Sequence, residues 1–156
     1  MKIIYFSVNN FGCLTGGIKN NTVKFDGSNT IFLFGQNNAG KSSFLRAYDI
    51  IFNDHKILQS DFHKQDVKNV IEMVIEVELT QEEIDEFGDK KQNALNKYFY
   101  GTDNNRLTFK KIWEQADKKA TNNLTLKKDK TGYDDIGYAG IGEHNFLKIN
   151  FQFLFL

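Results

Sequence analysis

The chain contains one complete phosphate-binding pattern, GxxxxGK[ST], over residues 35–42. Glycines allow a backbone to wrap closely around a phosphate chain, with successive N–H groups pointing inward. In such loops the lysine reaches the terminal phosphates and the following hydroxyl binds Mg²⁺. We therefore predict that the chain binds ATP with Mg²⁺, with Lys41 on the phosphates and Ser42 on the metal. The predicted cofactor-binding residues are Gly35, Gln36, Asn37, Asn38, Ala39, Gly40, Lys41, Ser42 and Ser43.

The segments on either side of this loop predict the elements that hold it. The apolar run from Ile31 to Phe34 is typical of a buried strand, and residues 43–52 have the periodicity of a helix. A helix that begins at the loop adds unpaired N–H groups and the positive end of its dipole. This strand–loop–helix order favours a phosphate site over a coincidental glycine turn. The predicted core face of the helix comprises Phe44, Ala47, Tyr48, Ile51 and Phe52.

Other segments alternate like strands, and one more has the features of a helix. Thr80 and Glu83 form a capping-box pattern that predicts a helix over about 81–99, with Gly88 as a break within it. Residues 53–69 are polar and predict a loop. The predicted strands are residues 2–8, 22–25, 70–79, 106–115 and 122–128, the last two as a hairpin.

These elements predict a single α/β P-loop domain over residues 1–156. Its mixed β-sheet carries the phosphate-loop helix, with an antiparallel β portion behind it. In the strand over 70–79, Glu72, Glu76 and Glu78 alternate with apolar residues, which predicts that their face of the sheet is in contact with water.

Hydrolysis of ATP needs more than a phosphate loop. An aspartate or glutamate at the end of an apolar strand normally helps to hold Mg²⁺, and another residue orients the attacking water. The nearest candidates are Glu76, which lies inside an alternating strand, and the Asp134–Asp135 pair, which follows a turn. Neither has the expected context. We therefore leave the catalytic residues unassigned and predict that this chain alone is deficient in hydrolysis.

Composition limits the cellular setting and the partners. The 20 basic and 20 acidic residues cancel, so there is no overall basic excess of the kind common in nucleic-acid-binding modules. The single cysteine, Cys13, cannot form an internal disulfide, which favours a reducing compartment. The apolar run at residues 2–6 is too short for a signal peptide or a membrane span. These features predict a cytoplasmic protein without a membrane partner.

Two weaker patterns have both a functional and a structural interpretation. Asp61 and His63 could supply a pair of metal ligands, although an ordinary loop histidine explains them as well. Residues 97–113 interleave aromatic and cationic side chains, as single-strand-binding surfaces do, but a helix end and a strand burying their aromatics would give the same pattern. The residues concerned are Lys97, Tyr98, Phe99, Tyr100, Arg106, Phe109, Lys110, Lys111 and Trp113.

Four segments together resemble the N-terminus of ABC-type ATPases within the AAA family of P-loop proteins. They are residues 9–12 (NNFG), 23–25 (VKF), 35–47 (GQNNAGKSSFLRA) and 77–84 (VELTQEEI). The similarity is to the RecF, SMC and OLD (overcoming lysogenisation defect) groups, and the NNxGKSSxLxA run is its most specific part. The resemblance implies nucleotide contacts from Gly35, Asn38, Gly40, Lys41, Ser42 and Ser43, with Phe11 near the base.

The same resemblance implies a role in DNA maintenance or phage defence. Two lobes of such ATPases close head to head on ATP, so it implies a homodimer or a partner ATPase lobe, with DNA as a further candidate partner. Members of these groups continue for hundreds of residues, to a signature helix and a Walker B acid that this sequence does not display. We therefore expect a truncated copy, although a final strand tucked into the sheet would also explain the apolar segment at 150–156.

Two other classes of function remain open. A small self-sufficient P-loop enzyme is one, but a nucleotide kinase needs an arginine-rich lid and the chain has only Arg46 and Arg106. A GTPase needs an Asn-Lys-x-Asp base reader, and the run that begins Asn96-Lys97 lacks the aspartate. The second class is a non-hydrolysing nucleotide- or nucleic-acid-binding module.

Overall fold

The fold is described from a computed structural model over residues 1–25, 31–53 and 55–135. Within these residues the strands form one six-stranded sheet in the order β2-β1-β3-β4-β5-β6, and neighbouring strands are antiparallel. The chain therefore combines helices and strands, as the α/β prediction requires, but the sheet within the described residues is antiparallel throughout and has no parallel pair of the kind that the predicted mixed sheet implies. The strands are β1 (Lys2–Asn9), β2 (Thr22–Lys24), β3 (Ile71–Glu78), β4 (Arg106–Trp113), β5 (Asn122–Leu126) and β6 (Tyr133–Asp135).

One face of the sheet packs on the helix that follows the phosphate loop, α1 (Lys41–Asn53). The fully buried ring of Phe6 on β1 makes edge contacts with Phe44 and Tyr48, with ring centroids 5.1 and 5.4 Å apart. Alternation places every second side chain of a strand on this face, and the spacing of three and four does the same on the helix. As predicted, Phe44, Ala47, Ile51 and Phe52 are buried and Tyr48 is partly buried.

The opposite face of the sheet is polar and is covered by ion pairs. Glu72, Glu76 and Glu78 share this face, as predicted, but they are only partly exposed. Arg106 lies 2.8 Å from Glu78 and 3.6 Å from Glu76, and the Lys110 ammonium lies 2.5 Å from Glu72. Cross-strand opposite charges of this kind stabilise a sheet. The prediction that this face is simply in contact with water is therefore corrected: its glutamates are only partly exposed and form ion pairs with Arg106 and Lys110.

The helical segment predicted over about 81–99 is divided next to Gly88, the predicted break, and it ends at Leu95. Two helices are present, α2 (Gln81–Asp85) and α3 (Gly88–Leu95). The Phe87 N–H donates to the Ile84 carbonyl at 3.2 Å, a 3₁₀-type bond that tightens and ends the last turn of α2. The capping box is confirmed, because Glu83 N–H donates to Thr80 Oγ1 and Thr80 N–H donates to Glu83 Oε2.

The segment before the phosphate loop also differs from its prediction, since residues 31–36 belong to no strand. Ile31 and Leu33 are partly buried, whereas Phe32 and Phe34 are 75% and 89% exposed. The side chains thus alternate as in a strand, but none of the six described strands pairs with this segment. A strand forms only with a ladder partner, so local pattern alone did not decide its structure.

The polar stretch over 53–69 is largely a loop, as predicted, with two 3₁₀ turns at Gln59–Asp61 and His63–Gln65. The turn expected at residues 26–29 and the apolar segment at 150–156 lie outside the described residues. None of the helices in the described part of the chain combines the length and hydropathy that crossing a bilayer requires.

Removing the Phe6 ring should destabilise the fold strongly, because the ring joins the sheet to α1. We expect Phe6→Ala to lower the free energy of unfolding by about 3–5 kcal/mol, measured by urea titration with circular dichroism. Phe34→Ala is the matched control, since Phe34 is 89% exposed, and it should change that free energy by less than about 0.5 kcal/mol. Equal losses in the two variants would contradict this description of the core.

Tyr5 should make the stability sensitive to alkaline pH. Burial raises the pKa of its phenol to about 12, and the nearby Glu76 carboxylate acts in the same direction. The folded state therefore disfavours the phenolate, so the stability is fully present below pH of about 10 and is lost as the pH rises towards about 12. Urea titrations across this window should show a smaller fall in Tyr5→Phe than in the wild type. An identical fall would contradict the assignment.

Candidate nucleotide-binding site

The backbone of the phosphate loop has the alternating conformation of an anion nest. Asn38 and Gly40 have positive φ angles, 68° and 88°, and Ala39 between them does not. Such an alternation turns consecutive N–H groups towards a common centre, where they can bind an anion. Asparagine tolerates the left-handed region better than most residues, and glycine occupies it without steric cost. The sequence therefore supplies suitable residues at both special positions.

The first turn of α1 continues this arrangement. The first helical hydrogen bond joins the Phe44 N–H to the Gly40 carbonyl at 2.8 Å. The N–H groups of Lys41, Ser42 and Ser43 come before it and so have no acceptor within the helix. Together with the positive end of the helix dipole, they favour a bound anion at this point.

The Lys41 side chain folds back over the loop. Its ammonium donates to the carbonyls of Gly35 and Gln36 at 2.6 and 2.7 Å. A lysine ammonium has three N–H donors, so two of them brace the ends of the loop and one remains for a phosphate oxygen. The Ala39 N–H donates to the Gln36 carbonyl at 3.2 Å, which closes the turn inside the loop.

A cavity of about 600 Å³ opens at this loop. This volume lies within the range typical of small-molecule sites. The loop is neither extended nor sealed, and its donors suit a polyanion such as a triphosphate, while the exposed Ser42 hydroxyl suits an oxygen-preferring cation such as Mg²⁺. The residues lining the cavity are Cys13, Asn37, Asn38, Gly40, Lys41, Ser42 and Ser43.

One wall of the cavity was not predicted from the sequence. It is the loop over residues 11–14, here called the β1 loop, which places the exposed Cys13 thiol 3.8 Å from Ser43 Oγ. A Cβ atom added to Gly12 would lie 2.9 Å from the same oxygen, so these two loops are in close contact. The only local signal was the glycine and asparagine content of residues 9–21, which indicates turns but not what they touch.

Phe11 does not take the place that the family resemblance implied. Its side chain is 2% exposed and belongs to the hydrophobic core, and its backbone forms bridges with Leu14 and Phe62. A ring buried in this way cannot stack on a base without a rearrangement of the core.

The two acidic candidates for hydrolysis lie away from the cavity. Glu76 is on the face of the sheet opposite α1, where it pairs with Arg106. Asp134 lies on β6 at the other end of the strand order from β2, and it contacts Lys127 and the Tyr98 hydroxyl. Neither residue lines the cavity.

The aromatic and cationic residues over 97–113 form core and ion pairs rather than a stacking surface. All five aromatic side chains are at most 7% exposed, and Arg106 and Lys110 pair with the glutamates of β3. Stacking on bases needs exposed rings, so the structural interpretation of this pattern is favoured. The five aromatics are Tyr98, Phe99, Tyr100, Phe109 and Trp113.

Asp61 and His63 are likewise engaged within the protein. The Asp61 carboxylate binds Arg46, and His63 Nδ1 donates to the Gly12 carbonyl at 3.0 Å. Across the part of the chain that the structure describes, no group of three or more His, Cys, Asp or Glu side chains is arranged to hold a metal ion. The paired-ligand interpretation therefore has no support here.

Comparison with known families agrees with this geometry. Residues 1–153 match the family model of the AAA ATPase domain. The chain belongs to this family. The AAA ATPase domain is a P-loop nucleotide-binding domain, and the match includes the loop over 35–43. No curated protein matches the chain.

The close approach of the β1 loop to Gly40 gives a direct test of the site. A Cβ atom on Gly40 would lie 2.7 Å from Leu14 Cδ2 and 3.2 Å from Cys13 Sγ, at a φ of +88°. We therefore expect Gly40→Ala to weaken binding of a fluorescent ATP analogue with Mg²⁺ at least about tenfold, because alanine is strained at this φ and the Leu14 and Cys13 side chains must move.

Gly17→Ala is the matched control for Gly40→Ala. Gly17 also has a positive φ, +99°, but no heavy atom lies within 4 Å of an added Cβ. Both variants place an alanine at a positive φ, and only Gly40→Ala adds the collision at the cavity. Similar affinities of the two variants for the analogue would contradict the described geometry.

Proposed function

We propose that this AAA ATPase domain binds ATP with Mg²⁺ through residues 35–43. The observation that carries the proposal is the nest at Asn38–Gly40, which continues into the first turn of α1 and opens onto a cavity of about 600 Å³. Backbone N–H groups held in this way need no rearrangement to accept the phosphates, which lowers the cost of binding.

Each group in the loop has a role that follows from its chemistry. The N–H groups of the nest and of Ser42 and Ser43 would take phosphate oxygens. The third donor of Lys41 would reach a terminal phosphate while the other two keep the loop closed. The Ser42 hydroxyl would hold Mg²⁺, which, when bound, neutralises charge on the phosphates.

We further propose that turnover needs groups beyond this loop. The resemblance of GQNNAGKSSFLRA to the OLD, RecF and SMC groups supports an ABC-type arrangement, in which two lobes enclose ATP between them. The positions of Glu76 and Asp134 away from the cavity agree with this, since neither can orient a water there. A second copy or a partner lobe would supply the missing groups, and the biological setting would be DNA maintenance or phage defence.

Lys41→Ala should abolish most of the binding. Removing the ammonium deletes both the loop brace and the phosphate contact, so we expect the dissociation constant of a fluorescent ATP analogue with Mg²⁺ to rise at least about thirtyfold. Lys128→Ala is the control, because Lys128 is an exposed lysine in the turn after β5, and its affinity should match the wild type. Equal affinity of the Lys41→Ala and wild-type chains would refute the proposal.

Phosphate release separates the proposed function from its alternatives. The wild-type chain alone should release little phosphate from ATP, and addition of a family partner lobe should raise the rate. Rapid turnover by the isolated chain would instead support a self-sufficient P-loop enzyme. Binding of ATP with no release under any condition would support a regulatory, non-hydrolysing module.

A further inference from the structure

The β1 loop is held in place by a short segment that is distant in sequence, residues 61–63. The Gly12 N–H donates to the Asp61 carbonyl at 2.7 Å, and the His63 N–H donates to the Asn10 carbonyl at 3.0 Å. Between them, Phe11 and Phe62 form an antiparallel bridge. These contacts join the two segments as a minimal pair of strands next to the cavity.

The imidazole of His63 adds a side-chain contact to this pair. Its Nδ1 lies 3.0 Å from the Gly12 carbonyl. A carbonyl can only accept, so Nδ1 must carry the proton and donate it. The Gly12 peptide is therefore held from both sides, through its N–H by Asp61 and through its carbonyl by His63.

The Asp61 carboxylate ties the same segment to α1. It accepts two hydrogen bonds from Arg46, at 2.9 and 3.0 Å, and a third from the Leu58 N–H at 2.8 Å. Its side chain is 8% exposed, whereas that of Arg46 is 49% exposed. A buried carboxylate with three donors has a defined position, and the paired geometry of Arg46 sets its direction as well.

These bonds connect α1, residues 61–63 and the β1 loop into one ring. Arg46 is five residues beyond Lys41 on α1. The ring closes at the start of the same helix, where Cys13 Sγ lies 3.8 Å from Ser43 Oγ and a Cβ atom on Gly40 would lie 2.7 Å from Leu14 Cδ2. The position of the β1 loop, which carries Cys13, is thus tied through residues 61–63 to α1, the helix that follows the phosphate loop.

We propose that Asp61 and His63 are positioning residues of the nucleotide site. They hold the β1 loop against the first turn of α1, so that it forms a preorganised wall of the cavity without themselves lining it. This inference rests on the proposed function, because it predicts a consequence for ATP affinity. A purely structural role would predict loss of global stability without a specific change at the β1 loop.

The single cysteine of the chain provides a direct readout of the wall. Cys13 is exposed on the β1 loop, so its rate of alkylation by iodoacetamide reports the position of that loop with or without nucleotide. We choose His63→Ala, which deletes the donor to Gly12, and His63→Asn, whose amide restores a donor. Asp61→Asn removes the charge that holds Arg46 but keeps a similar shape.

His63→Ala should change the Cys13 alkylation rate at least about threefold. It should also weaken binding of the fluorescent ATP analogue with Mg²⁺ by about threefold to tenfold, the range expected for one lost hydrogen bond. His63→Asn should return both values to within about twofold of the wild type. Asp61→Asn should resemble His63→Ala or exceed it. Urea titration of each variant separates these local effects from general unfolding.

Asn53→Ala is the control on the same helix, since Asn53 lies seven residues beyond Arg46 and its amide donates to Asp49. It should leave the Cys13 rate and the ATP affinity unchanged. Unaltered Cys13 reactivity in both His63→Ala and Asp61→Asn would overturn the inference, as would altered reactivity with unaltered affinity. The affinity of the wild-type chain is measured as the reference. If the wild-type chain does not bind ATP, the proposed function itself is refuted, independently of the variants.

Discussion

The architecture of the site depends on the close contact between the β1 loop and the first turn of α1. A Cβ atom on Gly40 would lie 2.7 Å from Leu14 Cδ2 and one on Gly12 would lie 2.9 Å from Ser43 Oγ, so either substitution would force the neighbouring side chain to move. A phosphate site needs its N–H groups to converge before the ligand arrives, and a flexible loop would lose that arrangement to conformational entropy. Here the β1 loop supplies the constraint from outside the phosphate loop, while Lys41 supplies it from within.

The sheet supports both the β1 loop and α1. β1 lies between β2 and β3, so the loop that leaves its end starts from a well-supported strand. Phe6 on that strand packs against Phe44 and Tyr48 of α1. These contacts fix the position of the helix relative to the sheet, and the phosphate loop leads into the start of this helix. The charged side chains of β3 and β4 form ion pairs on the polar face of the sheet, and α1 packs on the opposite, apolar face.

Local signals predicted a large part of this fold. The strands at 2–8 and 70–79, the hairpin strands at 106–115 and 122–128, and the helix after the phosphate loop all have strong periodicity, and all are present. The capping box at Thr80 is also present, because its two hydrogen bonds need only residues three apart. The prediction failed where a distant partner decides, since residues 31–34 alternate like a strand but pair with none of the described strands.

The same distinction applies to the site. Residues 35–43 could be proposed as a phosphate loop from the sequence because the pattern lies in consecutive residues, where glycine, lysine and serine each have a fixed task. Cys13, Asp61 and His63 could not, since their relation to the loop exists only after β1, α1 and the segment at 61–63 have packed together. Phe11 was misjudged for the same reason, because burial depends on neighbours far away in the chain. Hydrogen-bond donors within one loop are thus determined by sequence, whereas the wall they face is determined by tertiary contacts between residues tens of positions apart.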